Sequence, residues 1–328
     1  MSEIPKIDFV VTWVDNTDMN WQQTKARYSG DDSLNSEHRF RDMNTFHYWF
    51  RSVEKFAPWV NKIFLVTEGH LPKWLDTSHP KLRIIKHSDY IPEEYLPTFN
   101  SNVIELNLHR IPELSEHFVI FNDDFFLTQS LEPEDYFKNG LPRLLGIYRF
   151  IIPLEQFNHI ELNNTMVANK YFFERKALKK SPFKFFNYQY GKSNLTNLLS
   201  LAKKGIPAYK DIHVSIPHLK STFEKLWSLE SELLTKVSSN KFRTAEDVNH
   251  WLMGYWNIES NQFYPQNVNF GSYVSIGDKE GVKKLLTSKK YKNICVNDDF
   301  NSADFDIEVS NLVNTLDKMF PEKGSFEK

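Results

Sequence analysis

Short unbroken apolar runs alternate with helically periodic stretches through the first part of the chain. Residues 7–14, IDFVVTWV, are apolar and β-branched and stop at Asp15-Asn16, the pattern of a buried strand that hands over to a loop. Residues 18–38 are polar and contain SGDDS, so they read as an exposed excursion. Asp42 then stands as N-cap of a helix reaching Phe56, on which Phe46, Phe50, Val53 and Ala57 share one face and which Pro58 stops. KIFLVTEG (62–69) and LRIIKH (82–87) read as strands and SNVIELNLHRI (101–111) as a helix. HFVIFNDDFFL (117–127) is a strand that ends in acids.

Buried strands alternating with helices imply a mostly parallel, Rossmann-like α/β sheet flanked by helices. Ligands of such sheets gather beyond the carboxyl ends of the strands, which puts Asp15, Asp123 and Asp124 on one rim. The second half is largely helical and expected to complete the site. Residues 160–205 read as helical and partly basic, 217–234 as an amphipathic helix opened by Pro217, and 244–256 as a helix capped by Thr244. A strand, NICVN (293–297), leads into Asp298-Asp299, and 303–319 make a terminal helix. A soft boundary falls near residue 150, separating an α/β core (1–150) from a region (151–328) expected to share its active site.

Composition narrows the function classes. A net charge of -2 provides no global basic field, so nucleic acid is not an expected partner. The single cysteine, Cys295, rules out a disulfide framework within the chain and fits a reducing cytoplasm. No window offers the roughly 20 apolar residues of a membrane span. The Lys-rich, aromatic stretch 170–192 leaves peripheral contact with an anionic membrane open, beside the plainer reading of a solvated basic loop. No GxxxxGK[ST], GxGxxG or GxSxG motif occurs, which argues against P-loop, dinucleotide-fingerprint and serine-hydrolase chemistry.

The chemistry-bearing residues are few. Asp123 and Asp124 at a strand end could hold a divalent cation against a diphosphate, or simply cap a solvated turn. Asn297-Asp298-Asp299 repeats the pattern far along the chain. His213 and His218 bracket a proline and cannot form a helical HExxH zinc site, but either imidazole could accept a proton from an attacking hydroxyl. Arg39, Arg41, Arg110 and Arg243 are candidate phosphate contacts, the guanidinium fork matching phosphate oxygens.

Read in order, IDFVVTWVDNTD (7–18), the long stretch from RFRD at Arg39 to FNDDFFL, IPHLKSTFEKL with FRTAED (242–247), and NICVNDD (293–299) resemble the four blocks of the Stealth family. That family includes bacterial capsular polysaccharide phosphotransferases and the catalytic subunit of N-acetylglucosamine-1-phosphotransferase. Met43 and His47 depart from the residue types common in its second block. The resemblance implies transfer of hexose-1-phosphate from a UDP-sugar to an oligosaccharide or lipid-linked glycan acceptor; the cysteine count and the lack of a membrane span lead to the cytoplasm, with a place at the inner face of the membrane left open. The resemblance also implies Mg²⁺ or Mn²⁺ on Asp123 and Asp124, His218 as the favoured general base and Arg243 on phosphate charge. Thr12 and Asp15 would line the nucleotide side, with Arg39 and Asp42 also in contact with substrate. Asn100, Ser101, Glu105, His109 and Arg110 would build the donor pocket, and Asn297 and Asp298 would close it. The competing readings are a metal-dependent glycosyltransferase releasing UDP and a non-catalytic carbohydrate-binding protein.

Overall fold

The computed structural model describes residues 5–29, 42–298 and 304–328. Its central sheet is built from Ile7–Thr12 (β1), flanked by helix Met19–Tyr28 (α1) and helix Phe46–Phe56 (α2), then Ile63–Thr67 (β2), Leu82–Lys86 (β3), helix Ser101–Leu106 (α3) and His117–Asn122 (β4). The strand order is β3-β2-β1-β4, all parallel, with Val10 of β1 in register with Phe64 on one side and Ile120 on the other. Because successive side chains point to opposite faces, the same strands feed two cores. Phe9, Val11, Ile63, Leu65, Val119 and Phe121 pack on one face. Val10, Phe64, Val66, Phe118 and Ile120 pack on the other. On the first face α2 contributes Phe46, Trp49, Phe50 and Val53, all buried, each worth roughly 2–3 kcal/mol of apolar transfer.

After β4 the chain turns at Asp123-Asp124 and leaves the parallel sheet as Phe125–Leu127 (β5). A small ribbon, Phe137–Lys138 (β6) with Leu141–Leu144 (β7), follows. The helical region comprises Gln156–Phe172 (α4), Lys176–Lys180 (α5), Pro182–Phe185 (α6) and Asn194–Ser200 (α7). Ile216–Leu219 (β8) then adds to β4 antiparallel, completing a five-stranded sheet. Helices Lys220–Leu229 (α8), Ser231–Ser238 (α9) and Trp251–Glu259 (α10) lead to Tyr264–Pro265 (β9), which pairs with β7. Gly271–Ser275 (β10), helix Lys279–Thr287 (α11) and Asn293–Asn297 (β11) follow, and Phe305–Met319 (α12) is the last helix. β11 lies parallel to β10 and antiparallel to β5, so the acidic turn joins the parallel sheet to this second sheet. Gly271 permits the close approach there, since a Cβ would sit 2.6 Å from the Asn293 carbonyl oxygen.

Several local expectations change. Residues 19–28 of the supposed exposed excursion are a helix, because Asp18 accepts from the Trp21 amide and Trp21 buries its ring against Phe99. Asp42 does not cap α2; its carboxylate accepts from the Asn44 amide, and the helix starts after Thr45. Pro217 opens no helix either. It sits in edge strand β8 opposite Val119, where a missing N–H is tolerated, and the helix begins at Lys220. Thr244 spends its hydroxyl on Asp247, and the helix expected from 244 starts at Trp251.

Candidate active site

The carboxyl ends of the central strands carry a cluster of acids. Thr12 ends β1 beside Asn122, and the loop beyond it holds Asp15, which accepts from the Thr17 amide at 2.9 Å and the Thr17 hydroxyl at 2.6 Å. Burial, then the Asp124 and Asp42 charges, push Asp123 well above the ordinary carboxylate range. Asp42 is raised by burial and in smaller part by Asp15, so four carboxylates from three loops repel one another across one site.

Asp124 is raised by burial and opposed by His213. The Cys295 thiol donates to its Oδ2 at 3.4 Å, while Oδ1 is buried without a hydrogen-bond partner. An orphaned carboxylate oxygen among mutually repelling acids is a donor set suited to a hard divalent cation. Among the described residues no three His, Cys, Asp or Glu converge as a full ligand set. The turn presents two carboxylates, a number that Mg²⁺ can use when phosphate and water fill its remaining positions.

Facing these acids is His213, held at φ 49°, a left-handed conformation uncommon for a residue with a Cβ. Its amide donates to Asp211 Oδ2 at 2.8 Å, and its ring meets Phe125 edge-on at 5.6 Å. Burial, countered by Asp124 and reinforced by Arg243, lowers its pKa below 6.5, so the ring is neutral at physiological pH.

Arg243 arrives from the second half of the chain and donates to the Ser101 hydroxyl at the start of α3. Asn100 and Asp247 set that contact. Asn100 Nδ2 donates to Asp247 Oδ2 at 2.8 Å and to the Phe242 carbonyl at 3.2 Å, and Asp247 also accepts from Asn102, Asn240 and Thr244. Asn100 is thus a buried clamp on the Arg243 loop. Glu105, one turn along α3, is pushed up to about 7 by burial, with Arg243 opposing. It lies 3.6 Å from His250 Nε2, and His250 Nδ1 shares a 2.9 Å hydrogen bond with His218 Nε2.

His218 itself is wholly enclosed, its ring packed near Phe118 and Phe223. Burial, then His250, hold its pKa well below 6.5. His218 is thus sealed from solvent behind His250, whereas the His213 side chain is 38% exposed beside the acidic turn.

The remaining expected residues divide. Asn297 ends β11 and Asp298 follows it, just past the Val296 amide that donates to the Asp124 carbonyl, so they sit by the acidic turn. His109 and Arg110 do not join this group. His109 stacks near Phe223 and Trp227, and Arg110 lies 4.6 Å over the Trp227 ring, in the stretch whose Ile111 carbonyl accepts from Lys220 near the opposite end of β4. Arg39, Arg41 and Asp299 fall outside the described residues. Sequence reasoning missed Asp211, Asp247, His250 and the Cys295 contact. None belongs to a repeating pattern, and only the antiparallel addition of β8 and the passage of β5 to β11 bring them in.

A cleft opens beside this centre, running from Lys210 and Asp211 past Trp251 and Tyr255 to Gln266. Burial raises Asp211 on its wall to about 6.

The Stealth protein conserved region 1 model matches residues 5–33 and the conserved region 2 model residues 39–144, which span the acidic turn. Along nearly its whole length the chain is similar to proteins named as polysaccharide phosphotransferases. It is 53% identical to the capsular polysaccharide phosphotransferase WcwK of Streptococcus pneumoniae, over 99% of this chain and 100% of that one. The chain belongs to the Stealth family. Other Stealth relatives are the exopolysaccharide phosphotransferase cps2G of Lactiplantibacillus plantarum, 40% identical over 98% of this chain and 96% of that one, and the receptor polysaccharide phosphotransferase WefC of Streptococcus oralis, 41% identical over 98% and 99%. Among solved structures, the galactosyltransferase LgtC in complex with donor and acceptor sugar analogs aligns with 9% identity and a TM-score of 0.40, over 94% of this chain and 95% of that one.

Proposed function

We propose that this protein transfers hexose-1-phosphate from a UDP-sugar, UDP-N-acetylglucosamine being the first candidate, to a glycan hydroxyl in capsular or exopolysaccharide synthesis at the inner face of the cell membrane. The observation that carries the reading is the acidic turn Asp123-Asp124 with a neutral imidazole on one side and a guanidinium beyond it. The phosphotransferase names of its full-length relatives support the same class.

In the reaction, the acceptor oxygen forms a bond to the phosphorus that bears the sugar. The bond from that phosphorus to the bridging oxygen breaks, and UMP leaves with the bridging oxygen. His213 takes the hydroxyl proton. Arg243, steadied by Ser101 and the Asn100-Asp247 clamp, meets the charge on the transferring phosphoryl group. Asp123 and Asp124 would hold Mg²⁺ or Mn²⁺, which supplies neutralisation of the diphosphate charge. Thr12, Asp15 and Asp42 border the nucleotide side, Ser101 and Glu105 the sugar phosphate, and Asn297 and Asp298 the mouth. The cleft beside Asp211, with Trp251 and Tyr255 along it, is the acceptor's place. The bond between the anomeric carbon and its oxygen is untouched, so the sugar keeps its configuration.

The test is nucleotide release with purified protein, Mg²⁺, a panel of UDP-sugars and an oligosaccharide acceptor. UMP together with phosphorus in the glycan product is the expected result. UDP with a phosphorus-free product would instead establish glycosyl transfer.

A further inference from the structure

Helix α7 is built inside out. Its polar residues Asn197 and Ser200 are buried, while Leu195, Leu198 and Leu199, at steps of three and four, are 60%, 56% and 57% exposed. The burial of Asn197 is specific. Its Oδ1 accepts from the Tyr148 amide at 2.6 Å, and its Nδ2 donates to the Gly146 carbonyl at 2.8 Å and to the Phe185 carbonyl. One side chain thus ties three segments together and fixes which face of the helix looks outward. A helix that puts amides inward and leucines into water is finished only by something apolar outside the fold.

The neighbouring segments present the same kind of surface. Of the sixteen large apolar side chains exposed among the described residues, eleven lie between Phe150 and Leu201. Leu154, Phe183 and Tyr188 are the most open, at 84%, 83% and 89%. Hydrogen bonds hold the segments 173–188 and 201–204 beside α7: Asn194 Nδ2 donates to the Asn187 carbonyl, and Arg175 donates to the Ser200 and Lys203 carbonyls. Phe173 lies against Gly205.

The charge decides what that something is. Residues 149–204 carry ten Lys and Arg against three Asp and Glu, in a chain whose net charge is -2. Lys176, Lys179, Lys180, Lys192, Lys203 and Lys204 are all exposed among the apolar side chains. Apolar residues interleaved with lysines match the two layers of an anionic bilayer, acyl chains beneath phosphate headgroups. No helix among the described residues is long and apolar enough to cross a membrane, so the contact would be peripheral.

We infer that the surface formed by α7 and the segments 173–188 and 201–204 docks onto an anionic phospholipid bilayer, its leucines and aromatics entering the headgroup boundary and its lysines meeting lipid phosphates. The surface borders the cleft: Lys210, which lines the cleft, donates to the Ser193 hydroxyl just before α7. Docking this way sets the cleft mouth beside the bilayer, within reach of a glycan built on a lipid. The docking itself needs neither donor nor acceptor and stands apart from the reaction assigned above.

Co-sedimentation of the full-length protein with vesicles tests it. The protein should pellet with equimolar phosphatidylglycerol and phosphatidylcholine and remain in the supernatant with phosphatidylcholine alone. Leu198→Ser with Leu199→Ser, and separately Lys180→Gln with Lys203→Gln and Lys204→Gln, should each lower partitioning at least about tenfold. Circular dichroism and nucleotide release with a soluble acceptor should stay at wild-type levels. Equal pelleting with both vesicle types, or a lysine triple variant that pellets like wild type, would overturn the inference. So would a self-associating wild type that ignores vesicles and becomes monomeric on Leu198→Ser with Leu199→Ser, which makes the surface a protein interface.

Discussion

Each acid in the turn has a double effect. Asp123 is held among like charges, which costs folding free energy and readies the site for a cation. Asp123→Asn should therefore raise the melting temperature measured without divalent metal while lowering turnover by a factor of about a thousand or more. The two histidines separate by similar logic. His213→Ala should lower kcat roughly 10²- to 10⁴-fold and leave stability nearly unchanged, and it should abolish the acid limb of the kcat/KM profile, which lies below pH 6.5 in the wild type because burial depresses this imidazole. His218→Ala leaves a hole between Phe118 and Phe223 and strips His250 of its partner, so its main effect should be a lower denaturation midpoint. The acid pair was legible in the sequence because it stands at the end of an apolar run. The burial of His218 was not, since only its pairing opposite Phe118 in β8 puts that ring in the core while His213 stays in the loop before the strand.

At the level of elements, the parallel strands and α2 were readable because continuous apolar runs and a three-four stripe each have one cheap burial mode. What escaped was set by neighbours. Ile216–Leu219 has no strong strand pattern and becomes a strand only because β4 offers an unpaired edge. Met19–Tyr28 has little apolar periodicity and is a helix through its Asp18 cap and one buried tryptophan. The same dependence on neighbours makes Asn197→Ala informative. It strands the Tyr148 amide and two carbonyls in the interior, so urea denaturation should show a loss of about 2–3 kcal/mol, far more than an Asn-to-Ala change on an exposed helix. Gly271→Ala should destabilise too, since its Cβ would press on the Asn293 carbonyl and on Val214.

Across the whole molecule, two sets of buried groups pull stability in opposite directions with pH. Asp42, Asp123, Asp124 and Glu105 have raised folded pKa values, so their contribution is fullest below about pH 4 and is lost as pH rises, the Glu105 share disappearing above about 7. His213, His218 and His250 have depressed values, so theirs is lost as pH falls below 6.5. Comparing wild type with Asp123→Asn cancels the histidine part. The gap between their melting temperatures in chelator should widen from pH 4 upward, and saturating Mn²⁺ should narrow it by stabilising the wild type alone. The leucines of α7 have an evolutionary consequence. More than half exposed, they contribute little to the folding of the free protein, so selection on the fold alone would let them drift to glutamine or lysine. Among Stealth relatives that share Asn197, those positions should stay apolar wherever the enzyme still works on its surface, and a lineage that has turned to a freely diffusing acceptor should be recognisable by their loss.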